Sequence, residues 1–411
     1  MKILYNTGIR LYSLLIPAAA LFSRKAGLWI RGRKGFFSKY EGFDTRGRSV
    51  IWVHCASLGE FEQGRPVIEE IRKRDPSVFI LLTFFSPSGY EVRSDYPGAD
   101  LVCYLPADTP GNARRFVRTF SPSIAVFVKY EFWYNYISEL SKKGIPLYLI
   151  SANFRPGQIF FRWYGRWFAG MLRMFTHIFV QGEESALLLS SAGIDEVTVA
   201  GDTRFDRVVS IARSASRADA AAEFSGGALT VVAGSTWQPD HSLWARYMNG
   251  TPDSLKLIIA PHEIDIEEID RLEEQFRLPV ARFSRPDESD LRSARILIID
   301  NIGMLSSLYA YGSLAYIGGG FGRNIHNILE ACVYSIPVIF GPRYRNFREA
   351  VDLVRLGGAF PVSDYDSFSG KVDELTGNKD IRESAGSIAG GYVRSETGAT
   401  RIIVDKILIF E

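Results

Sequence analysis

The chain has 411 residues, 48 basic against 46 acidic side chains and a formal charge of +2; it is too long for one ordinary core and too balanced for a global field that would gather nucleic acid. Three widely separated cysteines, Cys55, Cys103 and Cys332, form no CxxC pair, and the five histidines form no HExxH. That argues against a disulfide framework or a zinc site and predicts a reducing compartment without a structural metal.

Residues 1–35 read as a membrane-anchoring or interfacial segment. Leu11–Phe22 is almost wholly apolar, and extension back to Ile3 gives about a membrane-spanning length, interrupted by Asn6, Thr7 and Arg10. Arg24, Lys25, Arg31, Arg33 and Lys34 follow, with Trp29 among them. Cationic flanks stay on the cytoplasmic side of a membrane. Ala18-Ala19-Ala20 would suit signal-peptide cleavage, but a signal peptide carries its charge before the apolar run. Pro17 favours a bent or shallow helix over a clean span.

Residues 36–212 predict a first Rossmann-like domain. Strands are expected at Val50–His54, Phe79–Phe84, Asp100–Tyr104, Ile124–Val128, Pro146–Ser151, His177–Gln181 and Val197–Ala200, with a helix over Phe61–Arg72. Ala212–Gly227 turns to Ala, Ser, Arg and Gly, which suits a connection. Residues 228–375 then predict a second such domain, with strands at Leu229–Ser235, Leu257–Ala260, Val280–Phe283, Arg295–Asp300, Leu314–Gly318 and Val338–Gly341. Residues 376–411 include a helical segment, Ile381–Ile409, expected to pack back toward the first domain. Strands alternating with helices imply α/β architecture with parallel sheets covered on both faces. Two such domains facing across a cleft describe the GT-B glycosyltransferases, although fold alone leaves the reaction open.

Polar residues concentrate where strands end. Ser57-Leu58-Gly59-Glu60 follows the first strand. It fits a capping box, and equally a general base, with Gly59 letting an acceptor come close. Ser86-Pro87-Ser88-Gly89 offers hydroxyls and N–H groups to a phosphate, or is a simple turn. Lys129 and Glu131 end the fourth strand as an ion pair or as site residues, and Arg155 follows the fifth. Phe160–Phe168, with Arg162 and Arg166, carries too many large aromatics for one buried face. It suits a membrane headgroup layer or an anionic-lipid rim, ordinary packing being the alternative.

In the second domain, Gly234-Ser235-Thr236-Trp237, Ala260-Pro261-His262-Glu263 and Asp300-Asn301-Ile302-Gly303-Met304 follow strands. Tyr316–Ala350 is the richest stretch: Gly318, Gly319, Gly320 and Gly322 allow a tight turn and a close backbone approach to a ligand. A helix is expected over His326–Tyr334, so that His326, Asn327 and Glu330 share a face behind amides aimed at an anion. Ser235, Thr236, Pro261, His262, Gly303, Gly319, Gly320, Arg323, Asn324, His326, Asn327 and Glu330 form the candidate donor site. Ser57, Gly59, Ser86, Ser88, Lys129, Arg155, Arg162 and Arg166 form the candidate acceptor site.

The set His54–Glu60, Thr83–Gly89, Lys129–Asn135, Gly201–Asp206, Gly234–Thr236, Asp300–Leu305, Gly318–Ala331 and Gly341–Glu349 resembles the 3-deoxy-D-manno-octulosonic-acid (Kdo) transferases of lipopolysaccharide synthesis. The resemblance implies a membrane-associated GT-B enzyme of Gram-negative bacteria that moves Kdo from CMP-Kdo to a lipid A precursor (lipid IVA) on the cytoplasmic face of the inner membrane, without a metal. The family's general base falls on Glu60, its second glutamate on Glu131, and its nucleotide-side Asn and Glu on Asn327 and Glu330. Three positions depart from the pattern. A common Lys is Arg204, a Pro-Arg-His turn is Pro261-His262-Glu263, and Trp-Pro-Asn is Trp133-Tyr134-Asn135. The last has no functional meaning visible in the sequence. A GT-B enzyme using a UDP-sugar, such as a lipid-A disaccharide synthase or an epimerase, and a silent membrane-tethered sugar-nucleotide sensor are the alternatives.

Overall fold

The structure, a computed structural model, describes residues 1–214, 218–250, 255–285 and 290–409. It divides into two compact units, Met1–Arg207 with Thr397–Glu411, and Val208–Glu396. Residues 215–217, inside the stretch expected to connect the domains, lie outside the described residues.

The first unit is built on β1 (Val50–Cys55), β2 (Phe79–Phe84), β3 (Leu101–Tyr104), β4 (Ile124–Val128), β5 (Leu147–Ala152), β6 (His177–Val180) and β7 (Val197–Val199). They pair in the order β3-β2-β1-β4-β5-β6-β7, every pair parallel. Strands such as Phe-Ile-Leu-Leu-Thr-Phe are buried throughout because helices cover both faces, so their sequences read as continuous apolar runs. One face packs Trp52, Phe116, Phe127 and Tyr136; the other packs Phe61, Ile68 and Ile80 with Ile403, Val404 and Ile407.

Those last three lie on the helix Ala399–Leu408, which rests on the helix Leu58–Arg74. Asp206 fixes its start, accepting the backbone N–H groups of Gly398 and Thr400 at 2.7 Å each. The expected single segment Ile381–Ile409 is therefore two helices, Lys379–Ser395 and Ala399–Leu408, broken at Gly398 with φ +117°.

The second unit carries β8 (Leu229–Thr236), β9 (Leu255–Pro261), β10 (Val280–Arg282), β11 (Ile296–Ile298), β12 (Leu314–Ile317), β13 (Val338–Phe340) and β14 (Ala359–Pro361), in the order β10-β11-β9-β8-β12-β13-β14, again wholly parallel. The sequence reading missed β14: three residues after a Gly-Gly pair give no periodicity to read. The chain is thus α/β, with two parallel seven-stranded sheets.

At the N-terminus, Lys2–Ala19 is a helix. Among the described residues no helix is long and apolar enough to cross a membrane, which corrects the expected spanning length. Tyr5, Asn6, Ile9, Ser13 and Ile16 form its sheltered side, while Ile3, Leu4, Leu11, Leu14 and Leu15, and Leu21 and Phe22 just beyond it, remain exposed. Arg33, expected as part of a cationic flank, is instead drawn inward. Its guanidinium donates to the carbonyls of Phe85 (2.7 Å) and Leu105 (2.8 Å), just past β2 and β3, and lies over Trp29. Burial pushes its pKa down to about 9.

Replacing Ile403 by Ala should cost the first unit about 2–5 kcal/mol, the usual range for a buried large-to-small change. Urea unfolding should show the loss, with amide exchange in β1 and β4 rising although residue 403 is remote in sequence. Unchanged exchange would detach the terminal helix from that core.

Candidate functional site

In a parallel α/β sheet, ligands gather at the carboxyl ends of the strands where the strand order reverses. The first sheet reverses between β1 and β4, and the second between β8 and β12. The candidate residues of each unit flank these points. Glu60 follows β1 and Glu131 follows β4; Ser235 is the last residue but one of β8, and Gly318–Gly320 follow β12.

Glu60 lies in the first turn of the helix Leu58–Arg74, half-buried. Ser57 is the N-cap residue, but its hydroxyl makes no cap bond to the backbone and donates to the Glu60 carboxylate. The capping-box alternative therefore does not describe these side chains. Gly59 is exposed beside them.

Glu131 is 8% exposed, and its Oε2 is held by Trp133 Nε1 (2.6 Å) and His54 Nε2 (3.1 Å). Trp133 can only donate, and so can Trp52, whose Nε1 lies 2.8 Å from Thr83 Oγ1. Thr83 Oγ1 is 2.8 Å from His54 Nδ1. His54 thus sits between Thr83, which its Nδ1 faces, and the Glu131–Trp133 pair, which its Nε2 faces; Trp133 Nε1 is also 3.1 Å from that Nε2. A buried carboxylate requires such partners. Sequence reading missed His54, although a histidine inside Val-Ile-Trp-Val-His-Cys is a signal, since a fully buried imidazole must be hydrogen-bonded. Besides Lys129, weighed in the sequence as the partner of Glu131, the structure brings His54 and Trp133 to that carboxylate.

Lys129, Ser151 and Ser235 have φ of +61°, +55° and +53°. Left-handed non-glycine residues cost about 1–3 kcal/mol each and concentrate at functional sites. All three stand at carboxyl ends of strands, and the pairing register shifts around Ser151 and Ser235. Ser86 and Ser88 are half-buried, their hydroxyls 3.0 Å apart. Arg155, Arg162 and Arg166 are exposed. The aromatic run divides: Phe160 is buried and Trp167 packs on Tyr5 and Tyr134, whereas Trp163 is 87% exposed and Tyr164 is also open.

The second unit corrects two expectations. The helix expected over His326–Tyr334 is only Leu329–Cys332, so His326 and Asn327 precede it and no long helix aims its amides at the turn. Asn327 instead bridges, accepting from Leu329 N and donating to Glu330 Oε1, each at 3.1 Å. The glycines also serve the protein's own packing. A Cβ on Gly318 would meet Ser235 O at 2.3 Å, and one on Gly320 would meet Gly341 N at 2.6 Å. Only Gly319, with φ +88°, needs glycine for its dihedral. Close approach of backbone to backbone accounts for Gly318 and Gly320.

Asp240, not foreseen, fastens this turn. Its carboxylate accepts Gly319 N–H (3.1 Å), Trp237 N–H (2.9 Å) and Tyr316 O–H (2.6 Å). Thr236 is buried, with its hydroxyl against His241 and Ala260 O, so its side chain does not face a ligand. Pro261 is buried as well, while Arg323, Asn324 and Gly303 are exposed; Asn324 Oδ1 accepts from Asn346. Arg204, the Lys-to-Arg departure, is tied to Asp202 at 2.7 Å.

Trp237, His262 and His326 stack, with ring centroids 4.7 Å apart for Trp237–His262 and 4.2 Å for His262–His326. Trp237 Nε1 donates to His326 Nε2 at 3.0 Å, which fixes that nitrogen as an acceptor. Burial, then His262, pushes His326 down to about 4; burial does the same to His241. Among the described residues, no group of three or more His, Cys, Asp or Glu could hold a metal ion.

Both imidazoles sit below the 6.5 of a free histidine. Between pH 6.5 and 4 the unfolded chain therefore binds protons that the folded chain refuses. Their stabilisation is fully present above 6.5 and is lost as pH falls through that window. NMR titration should place the His326 midpoint near 4; a midpoint near 6.5 would contradict the Trp237 bond.

Residues 30–207 match the family described as 3-Deoxy-D-manno-octulosonic-acid transferase (kdotransferase). The chain is 26% identical over 373 residues to the 3-deoxy-D-manno-octulosonic acid transferase of Bordetella pertussis, covering 87% of this chain and 86% of that one. It is 28% identical to the enzyme of that name from Aquifex aeolicus, covering 88% and 96%. Among solved structures, UDP-GlcNAc 2-epimerase from Neisseria meningitidis superposes with a TM-score of 0.60 at 16% identity, over 88% of this chain and 99% of that one. At that identity the likeness shows the fold, a GT-B-like α/β arrangement, and nothing of the substrate.

Proposed function

From its kinship with the Kdo transferases, a glycosyltransferase family of lipopolysaccharide synthesis, we propose that this chain moves Kdo from CMP-Kdo to a lipid A precursor, lipid IVA. The observation that carries the reading is the Glu60 carboxylate at the order reversal of the first sheet, oriented by Ser57 and flanked by exposed Gly59.

The acceptor hydroxyl attacks the anomeric carbon of Kdo from the face opposite CMP. Its proton passes to Glu60 as the new C–O bond forms, and the old C–O bond leaves with CMP, so the configuration inverts. Glu131, locked by His54 and Trp133, is the second carboxylate at that edge. The second unit takes the donor. Trp237, His262 and His326 offer an aromatic stack for the base, while Asn327 and Glu330 offer polar groups. Arg323 and the backbone of Ser235 and Gly319 meet the phosphate. With the expected long helix absent, the anion depends on Arg323 and loop amides more than on a helix dipole. The reaction is proposed to need no metal, and a chelator should leave turnover unchanged.

The N-terminal helix fits a position along the cytoplasmic face of the inner membrane. Its exposed leucines, Phe22, Trp163 and Tyr164 supply apolar and interfacial contacts, and Arg24, Lys25, Arg162 and Arg166 supply charge for anionic headgroups.

Incubation with CMP-Kdo and tetraacylated lipid A precursor should add Kdo masses to the acceptor. Glu60→Gln should lower turnover about 10²–10⁴-fold, the usual contribution of a general base, with CMP affinity and melting temperature kept. Near-normal turnover would remove Glu60 from the mechanism. CMP, and not UDP, should raise the melting temperature; the reverse would favour a UDP-sugar enzyme.

A further inference from the structure

We propose that the N-terminal helix is a positioning element of the site, its Tyr5 completing the cap that fixes the segment carrying Glu131 and Trp133. The inference rests on the reading of Glu131 as a site residue. It concerns a contact quite apart from the helix's apolar outer face.

The helix Tyr134–Lys142 begins directly after Trp133, and Trp133, its N-cap residue, supplies no side-chain cap. The first N–H groups of any helix lack partners within it. Here they are met from elsewhere in the chain. Tyr134 N–H donates to Tyr5 Oη (3.3 Å), Asn135 N–H to Asp108 Oδ2 (3.1 Å) and Tyr136 N–H to Asp108 Oδ1 (3.1 Å). Tyr5 O–H in turn donates to Asp108 Oδ2 at 2.6 Å, and Asn135 Nδ2 donates to Asn6 Oδ1 at 2.9 Å. A proline at position 134 would have no N–H to give, so the tyrosine there has a structural meaning that the sequence did not show.

Asp108 is 1% exposed. Burial raises its pKa to about 6 although every hydrogen bond named here favours the ionised form. A buried carboxylate that loses a donor is costly, so the Tyr5 hydroxyl matters beyond one ordinary bond. A second path reaches the same place through rings. Phe85 packs on Trp133 at 4.5 Å between centroids and also contacts Tyr12 of the N-terminal helix and Trp29 of the next. The helical turn after Trp133 is thus tied to the N-terminal helix through Tyr5, and the ring of Trp133 through Phe85. Trp133 Nε1 is the 2.6 Å donor to Glu131. Undocking the helix would release the first helical turn after Trp133 and let Glu131 lose its fixed orientation.

The test is Tyr5→Phe in the full chain, which removes one hydroxyl and keeps the ring contacts with Tyr134 and Trp167. The acceptor is supplied in detergent micelles, so that vesicle binding does not limit the rate. Expected are a fall in kcat of about 10-fold with KM for CMP-Kdo unchanged, faster amide exchange confined to residues 134–136, and wild-type binding to anionic vesicles. Asp108→Asn should shift the same amides further. Wild-type kcat and wild-type exchange in Tyr5→Phe would overturn the proposal, and so would a rate loss that simply follows vesicle binding. Should the wild-type chain transfer no Kdo at all, the functional reading fails. The exchange measurement would still decide whether Tyr5 caps that helix.

Discussion

Both sheets are parallel throughout, and this constraint shapes everything else. A parallel strand can deliver a side chain to a ligand only past its carboxyl end, and a gap between loops opens only where the strand order reverses. Each unit has one such reversal, β1/β4 in the first and β8/β12 in the second. The carboxylates Glu60 and Glu131 stand at one, and Ser235 and the Gly318–Gly320 turn at the other. Three of the left-handed non-glycine residues, Lys129, Ser151 and Ser235, also stand at carboxyl ends of strands. The chemistry proposed is thus supported by the topology as well as by the residue types.

What holds these edges in place is a pair of buried carboxylates outside the reacting groups. Asp240 gathers Gly319, Trp237 and Tyr316 around the second reversal. Asp108 gathers Tyr5, Asn135 and Tyr136 beside the first. Each pays a desolvation cost that is tolerable only because every nearby donor points at it. Burial accordingly raises both pKa values.

How much the sequence disclosed follows from the range of each signal. Runs such as Phe79–Phe84 and Ile124–Val128 have the structure's own boundaries, because strands buried on both faces need continuous apolar residues. The strand-end position of Glu60 and Glu131 followed from the same runs. The partners of those residues did not. His54 meets Glu131 across 77 positions, and Tyr5 meets Asp108 across 103, with no local pattern joining them. The helix expected over His326–Tyr334 failed for a related reason. The turn Gly318–Ile325 is pinned to Arg343, Gly341 and Asp240, and those distant contacts keep His326 and Asn327 outside the helix. The glycine cluster invited a ligand-centred reading because a close approach of two backbones leaves the same glycines in a sequence.

The proposed chemistry stands or falls with a donor nucleotide seated at the order reversal of the second sheet. The most direct measurement is a crystal structure of the chain with CMP bound. It should show the nucleotide against Ser235, Trp237, Gly319 and Asn327. Nucleotide seated away from the ends of β8 and β12, or bound only to the first unit beside Glu60, would contradict it.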